Sequence, residues 1–287
     1  MKNSTANNIY ISSPLAGEEA VVCDAKRALQ MQERGRFSRK VAFTLAEVLI
    51  TLGIIGVVAA MTLPTLIQNH QKRSLEVATQ KFYSTMSQAV KKYMADEGVD
   101  DLRNTPLASD NYEDYDSPEA IASIRNFVTK YLKVVEECDH EANNCFAPVY
   151  RLWDSALENN FTINTSFGSR RDYVLADGAV IRITYNGDRN IPGPIELFVD
   201  VNGKKGPNRV GYDLWEMDIF YDGVIEESEV GPECRGRIDS IYDYDSYKCI
   251  EYTAHEKRKT RFENNCKDGQ YGGCFGHFLN NNFKFDY

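Results

Sequence analysis

The sequence predicts an α+β protein in which a long N-terminal helix packs on an antiparallel β-sheet and a cysteine-rich C-terminal appendage follows. Three patterns predict this class. Residues 43–67 form a nearly uncharged apolar stretch, residues 68–96 repeat apolar side chains at intervals of three and four, and residues after 161 alternate with a period of two. Helices followed by a run of strands are typical of α+β folds with antiparallel sheets.

The apolar stretch, residues 43–67, is long enough to cross a membrane as a helix, since a helix rises ~1.5 Å per residue and the hydrocarbon layer is ~30 Å thick. It is preceded by four basic residues: Arg34, Arg36, Arg39 and Lys40. Basic flanks stay in the cytoplasm, so we expect the C-terminal side to be exported. Glu47 is the one charge in the stretch, and a carboxylate there costs at least ~2.5 kcal/mol. We therefore expect Glu47 to be functional.

Beyond Pro64 the pattern becomes amphipathic. The apolar stripe consists of Leu75, Ala78, Phe82, Met86, Ala89, Val90 and Tyr93. The spacing predicts one helix over residues 43–97, half of it transmembrane and half of it packed on a globular domain, with Gly98 as its stop. Pro64 removes a backbone donor, so we expect it to bend or locally melt the helix.

The remaining chain divides by pattern into three parts. Residues 98–160 are predicted to be a helical connector, with a helix that begins at Ser117-Pro118 and ends near Cys138. Residues 161–222 are predicted to form the antiparallel sheet, with strands at 161–165, 173–176, 179–185, 195–201 and 216–221. Asp177-Gly178 is a hairpin signal between two of them. Residues 223–287 are the C-terminal appendage, whose polar composition predicts little core of its own.

Six of the seven cysteines lie on the side of the apolar stretch that we expect to be exported, where disulfides persist. They are Cys138, Cys145, Cys234, Cys249, Cys266 and Cys274. Cys138 and Cys145 enclose a short Asn-rich segment and are expected to pair with each other. The last four are expected to staple the C-terminal region, in pairings that the sequence leaves open. A zinc site is disfavoured because no C-x-x-C occurs and only His277 is near the last cysteines.

The segment Lys40-Val-Ala-Phe-Thr-Leu-Ala-Glu-Val-Leu-Ile-Thr-Leu-Gly-Ile-Ile-Gly resembles the N-terminal signature of type IV pilins and type II secretion pseudopilins. The resemblance implies that a prepilin peptidase cuts between Ala42 and Phe43 on the cytoplasmic side, removes the leader 1–42 and methylates the new amine. Glu47 is then the fifth residue of the mature chain, as in that family, and Pro64 matches its helix-kinking proline. One position departs from the pattern, because the family usually has Gly where this chain has Ala42.

The resemblance also implies how the protein acts. The expected fold is pilin-like, and the expected role is a structural subunit, assembled through its N-terminal helix after processing. Its implied partners are other pilin or pseudopilin subunits, the prepilin peptidase, the filament assembly machinery and the bacterial inner membrane. In a packed array the Glu47 carboxylate of one subunit can neutralise the Phe43 amine of another, so the burial penalty of the carboxylate is relieved on assembly.

A second segment also resembles this family. The stretch from Asp200 to Trp215 is similar to the "D-x-N-G … G-P-N … G-x-D" loop of pilin-like proteins, which in major pseudopilins binds calcium. Asp200, Asn202, Asn208 and Asp213, with backbone carbonyls, offer the hard oxygen ligands that calcium takes. The alternative is a tight loop without an ion, in which Asn and Asp form Asx-turns and glycines supply positive φ.

Composition excludes some classes and leaves others open. Residues 1–42 carry a net charge of +3, so the rest of the chain carries −12. The acidic part shows no basic stripe, so we expect no direct contact with nucleic acid. No enzyme motif occurs, so we expect no enzyme. The open alternatives are a membrane-anchored or secreted binding protein with an ordinary signal segment cut after Ala60, and a secreted enzyme carried on a pilin stem. Met31 is an alternative start.

Overall fold

A computed structural model describes seven stretches of the chain, which are residues 43–108, 117–138, 145–153, 160–163, 171–185, 195–235 and 253–287. The chain divides into two compact units, Met1–Met61 and Thr62–Tyr287. The predicted leader 1–42, including Ala42, lies outside the described residues, and so does Cys249.

Helices, strands and short turns alternate along these stretches. The α-helices are α1 (Leu45–Glu97), α2 (Pro118–Tyr131), α3 (Ala254–Arg261) and α4 (Cys274–Asn280). The strands are β1 (Val134–Cys138), β2 (Tyr150–Arg151), β3 (Asn160–Phe161), β4 (Asp172–Leu175), β5 (Val180–Tyr185), β6 (Ile195–Asp200), β7 (Leu214–Ile219) and β8 (Ile225–Glu226). A single π turn, Phe262–Cys266, joins α3 to the loop before α4.

The fold is α+β, as the sequence predicts, with the long helix α1 packed on an antiparallel sheet. Six strands form the sheet in the order β1-β4-β5-β6-β7-β8, and β2 pairs with β3 in a separate two-stranded sheet. Neighbouring strands of the large sheet are antiparallel throughout. The predicted hairpin at Asp177-Gly178 is confirmed: it joins β4 to β5, and Gly178 has φ +92°.

The second half of α1 buries the predicted stripe. Its buried residues are Leu75, Glu76, Thr79, Phe82, Met86, Ala89, Val90, Tyr93 and Met94, and Ala78 is partly buried. The stripe contacts the sheet at Trp215 of β7, whose ring is 1% exposed and whose indole N–H donates to the hydroxyl of Thr79 at 3.1 Å. A buried Trp N–H needs an acceptor, so this bond fixes where the helix lies on the sheet.

Helix α1 ends where the sequence predicts. Gly98 has φ +70°, and its N–H donates to the carbonyl of Ala95, while the N–H of Val99 donates to the carbonyl of Met94 at 3.0 Å. These two bonds are a Schellman motif, which satisfies the last carbonyls of the helix. The residues on both sides of Pro64 are helical, so local melting is not observed there.

The predicted connector helix is shorter than expected. Helix α2 begins as predicted, with Ser117 accepting the N–H of Ala120 and Pro118 in the first turn, but it ends at Tyr131 rather than near Cys138. The next residues form β1, the edge strand that pairs with β4. Val135, which lies within the span predicted to be helical, is therefore 65% exposed on a strand. The sheet thus begins before residue 161.

The other strands differ from the prediction at their ends. The last predicted strand, 216–221, is Leu214–Ile219 in the structure, and the predicted strand 161–165 is represented by Asn160–Phe161. The short strand Ile225–Glu226 was not predicted, because two residues carry no measurable period.

The C-terminal region, residues 253–287, shares the main core. Phe275 and Phe278 of α4 are buried, and the Phe278 ring lies 4.7 Å from the Trp215 ring. Glu76 of α1 accepts the N–H of Phe285 and the ammonium of Lys284, both at 2.9 Å. These contacts hold the C-terminal region against both α1 and the sheet.

The cysteine predictions are largely confirmed. Cys138 is bonded to Cys145, with Cα atoms 5.9 Å apart, and Cys266 is bonded to Cys274, with Cα atoms 5.1 Å apart. Cys234 is also disulfide-bonded. The Cys266–Cys274 bond joins the π turn to the start of α4, so it staples the C-terminal region.

We predict that two glycines with positive φ respond differently to substitution by Ala. A Cβ at Gly223 (φ +74°), in the β7–β8 turn, would lie 2.4 Å from the Met94 sulfur of α1, whereas a Cβ at Gly178 meets no atom within 4 Å. Gly178→Ala should cost about 1–2 kcal/mol from backbone strain alone. Gly223→Ala should cost about 1–3 kcal/mol more, from overpacking against the helix. Urea unfolding of the full chain in detergent micelles measures both, and equal losses would contradict the packing of α1 on this turn.

Candidate functional site

The first turn of α1 is closed by a pair of side chains. Glu47 Oε2 accepts hydrogen bonds from the N–H and the hydroxyl of Thr44, each at 2.8 Å, and the Glu47 N–H donates to the Thr44 hydroxyl at 3.2 Å. This reciprocal arrangement is a capping box, which satisfies donors that the helix N-terminus otherwise leaves open. The Glu47 carboxylate is thereby held within one turn of Phe43.

Thr44 is a residue of this site that the sequence analysis missed. The signal was present, because Thr-x-x-Glu before an apolar run is the sequence form of a capping box. Phe43, the predicted first residue of the mature chain, is 77% exposed beside it. The structure therefore brings Phe43, Thr44 and Glu47 together at one helix end.

The first half of α1 exposes its apolar side chains. Among the described residues, α1 is the helix long and apolar enough to cross a membrane; its most apolar 18-residue window has mean hydropathy 2.2, and none of it is buried. Leu45, Ile50 and Met61 are 77%, 63% and 74% exposed. Cβ atoms built at Gly53 and Gly56 meet nothing within 4 Å, so the backbone is open to close approach there.

The predicted calcium loop places its two carboxylates in the protein interior. Asp200, at the end of β6, is fully buried; its Oδ2 accepts the hydroxyl of Tyr150 at 2.5 Å and its Oδ1 accepts the N–H of Asn202 at 3.1 Å. Asp213 is also fully buried, and its two oxygens accept the N–H groups of Asn208 at 2.7 Å and Arg209 at 2.6 Å. The two aspartates therefore organise the loop, as the Asx-turn alternative expects.

Tyr150 was not predicted to be part of this loop. It lies 50 residues before Asp200 in the chain and reaches it through the pairing of β2 with β3 and the contacts of Arg151 with Asn208 and Val210. No local pattern announces such a contact, because the two segments meet only in the folded chain.

Two buried oxygens in the loop have no hydrogen-bond donor among the residues that the structure describes. They are the side-chain oxygens of Asn202 and Asn208. Burial raises the pKa of Asp200 to about 7, with a further contribution from the nearby Asp213, and burial raises the pKa of Asp213 to about 6. Buried oxygen atoms are in excess in this loop, and burial disfavours the negative charge of the two aspartates. A hard cation fits such a loop, because it binds oxygen ligands and supplies the missing positive charge.

The donor set therefore fits calcium, which stays a prediction. Among the described residues, no group of three or more His, Cys, Asp or Glu side chains is placed to hold a metal ion. A calcium ion here would take the carboxylates of Asp200 and Asp213, the amide oxygens of Asn202 and Asn208, and backbone carbonyls. In that role it would neutralise the two aspartates and tie the loop after β6 to the start of β7.

We predict that the calcium-free protein loses stability as pH rises from 4 to 7. The pKa values of Asp200 and Asp213 are higher in the folded chain than the ordinary 3.8. Their contribution to stability is thus complete below pH ~4 and lost as pH passes upward through 6 and 7, at ~1.4 kcal/mol per unit of displacement. Melting curves in chelator between pH 4 and pH 8 measure this slope.

Added calcium should remove that loss at pH 7 and have little effect at pH 4, where the carboxylates are protonated. A ligand at a hundred times its Kd adds about 2.7 kcal/mol. Asp200→Asn should abolish the calcium effect and flatten the slope, whereas Asp286→Asn, at an exposed aspartate outside the loop, should do neither. Identical melting temperatures with calcium and with chelator at pH 7 would end the calcium prediction.

Comparison with known proteins assigns no function. Residues 65–186 match a family described as a family of unknown function, DUF6613. The matched part begins just after Pro64 within α1 and ends after β5, so it leaves out both the Phe43–Glu47 site and the loop that begins at Asp200. No curated protein and no solved structure matches the chain.

Proposed function

We propose that this protein is a structural subunit, a pilin or pseudopilin, of a type IV pilus-like or type II secretion filament. It is inserted as a single-pass precursor in a bacterial inner membrane, trimmed by a prepilin peptidase, and assembled through its N-terminal helix. The observation that carries the proposal is an exposed apolar helix with Glu47 at its start, continuous with a helix that packs on an antiparallel sheet. The N-terminal signature supports the same assignment.

The exposed apolar side chains in the first half of α1 require lipid or another protein to shield them from water. Apolar surface in water costs about 25 cal/mol per Å², and the side chains of residues 43–67 are nearly all exposed. Lipid covers this surface in the precursor. In a filament the same surface meets the helices of neighbouring subunits, and the open surfaces at Gly53 and Gly56 allow them to approach closely.

Glu47 gives the helix array its register. In the isolated chain its carboxylate is satisfied by Thr44, at the end of the helix and beside Phe43. After cleavage the amine of Phe43 supplies a positive charge at the same level. Pairing of this amine with Glu47 of a neighbouring subunit is favourable in an apolar array, because opposite charges attract strongly where water is excluded.

The globular unit, residues 62–287, is assigned to the exported side. Its disulfides persist in an oxidising compartment such as the periplasm or the cell exterior. The C-terminal region adds two helices to the pilin-like sheet, a bulk that is harder to repeat along a dense filament. We therefore place the protein among minor subunits, and assign it a structural rather than an enzymatic role.

The alternative is a membrane-anchored or secreted binding protein. The apolar stretch of an ordinary signal segment also satisfies the length and hydropathy criteria for a membrane-spanning helix. The carboxylate within the apolar stretch favours the filament subunit, because a charge in a membrane-spanning helix costs free energy that an ordinary anchor avoids.

Processing provides the first test. We predict that the mature chain purified from its native membrane begins with N-methylated Phe43, because the peptidase cuts after Ala42. Mass spectrometry of the N-terminal peptide measures this. A chain that begins at Met61, or that remains uncut, supports the ordinary signal segment and contradicts the filament subunit. Replacing Ala42 by Gly, the usual residue of the family, should leave the cleavage site unchanged.

Assembly provides the second test. Glu47→Ala should leave cleavage intact and reduce incorporation into filaments at least tenfold, since the Phe43 amine then lacks its partner. Glu47→Gln is the sharper variant, because Gln at this position keeps the capping box and removes the charge. Immunoblots of sheared or cross-linked filaments measure incorporation, with Thr44→Ser as a control that retains the cap. Normal assembly of Glu47→Gln would show that capping, and not charge, is the role of Glu47.

A further inference from the structure

Carboxyl groups lie side by side across the strands at one edge of the sheet. Glu196 of β6 is directly opposite Asp218 of β7, and Asp218 is directly opposite Glu226 of β8. Asp218 is 5% exposed and Glu226 is 2% exposed. We call these three residues the carboxyl row. Like charges directly opposite each other on neighbouring strands destabilise a sheet, and more so when water is excluded.

Two further acids adjoin the row and face the C-terminal region. Glu216 lies two residues before Asp218 on the same face of β7; the residue is partly buried, and its Oε2 atom is buried and accepts no hydrogen bond from the described residues. A Cβ built at Gly272 would lie 2.7 Å from that oxygen, so the C-terminal region closes tightly over it. Glu227 is fully buried and accepts the N–H groups of Gly273 at 2.9 Å and Gly276 at 2.7 Å.

The cations that face these acids are fewer than the acids. Arg258 of α3 pairs with Glu226, its Nε 2.9 Å from Oε1. Arg261 of α3 pairs with Glu229 at 2.8 Å and lies 3.9 Å from Glu227. From α1 the neutral Tyr83 also faces Glu226. Among the described groups, these two guanidinium groups face five carboxyl groups, and full ionisation of the five leaves an excess of negative charge between the sheet and the C-terminal region. The five are Glu216, Asp218, Glu226, Glu227 and Glu229.

We infer that protons bound at Asp218 of the carboxyl row and at its neighbour Glu216 hold the C-terminal region, residues 253–287, on the sheet, so that this contact is tight in acidic medium and loosens as the pH rises. A protonated carboxyl group can donate to a neighbouring carboxylate, which turns a repulsive pair into a hydrogen-bonded one.

The pKa shifts agree with this geometry. Burial, together with the facing Glu196, raises the pKa of Asp218 well above its ordinary value. Burial, together with Glu227 and Asp218, does the same for the pKa of Glu216. Groups with a raised pKa stabilise the closed form fully below pH ~4 and lose that contribution as pH rises through the raised values. Alkaline medium therefore favours release of the region.

The two tryptophans of the chain are built-in reporters of this contact. Trp215 lies 4.7 Å from Phe278, and Trp153 lies 5.0 Å from Phe262 and 3.9 Å from Tyr287, measured between ring centroids. All three partners belong to the C-terminal region. Its release would expose to water the parts of both indole rings that these side chains cover, and would shift their emission to longer wavelength.

The test is a pH titration of the full chain in detergent micelles from pH 4.5 to 9. Tryptophan emission and hydrogen exchange of residues 253–287 are measured, with exchange in the buried stripe of α1 as an internal reference. The wild type should open with rising pH, by up to tenfold in the opening constant per pH unit for each group that titrates. The α1 stripe should stay protected over the range in which the C-terminal region opens.

Asp218→Asn should flatten the rise of the opening constant with pH by up to tenfold per pH unit. If Asp218→Asn does not fold, Glu216→Gln, at a partly buried position, takes its place. The matched control is Glu263→Gln, an exposed carboxyl group of the same region, which should titrate as the wild type does. Asp200→Asn tests whether the aspartates of the loop after β6 contribute to opening. This variant should also leave the slope of opening against pH unchanged. An unchanged slope in Asp218→Asn or Glu216→Gln, or opening on acidification, would overturn the inference.

Discussion

The packing of the second half of α1 against the sheet is the interaction on which the rest of the globular unit depends. Trp215 lies at its centre, because its ring is buried among the stripe of the helix and the aromatic rings of α4, and its indole N–H is satisfied by Thr79. A large buried side chain with one required hydrogen bond tolerates little displacement. The helix thus lies at one position along the sheet, and the C-terminal region closes around both.

The same helix meets two different environments along its length. Its first half begins with a capped carboxylate and is otherwise apolar all round, whereas its second half shows one buried stripe and a polar face. A helix that is apolar all round is stable only where lipid or other helices surround it. This division is the physical basis for the proposal that the first half inserts in a membrane and assembles, and that the second half belongs to an exported domain.

Buried carboxylates recur in the globular unit, and each is held in a different way. Glu76 and Glu227 accept backbone N–H groups of the C-terminal region, and Asp172 pairs with Arg182 at 2.7 Å across β4 and β5. Asp200 and Asp213 organise a loop, whereas Asp218 meets other acids across the strands. Buried charge that is fully paired fixes a structure, and buried acid in excess makes it depend on protons or cations.

The sequence alone determined the α+β class, the buried stripe of α1, its stop at Gly98, the Asp177-Gly178 hairpin and the Cys138–Cys145 bond, because each depends on spacing or on chemistry within a few residues. Only the tertiary structure decided that residues 134–138 leave helix α2 to form a strand, since pairing with β4 outweighs local helical spacing. It also brought Tyr150 to Asp200, closed the C-terminal aromatics over Trp215 and aligned Glu196, Asp218 and Glu226. These contacts join residues far apart in the chain, and the register of strands, not any local pattern, sets them.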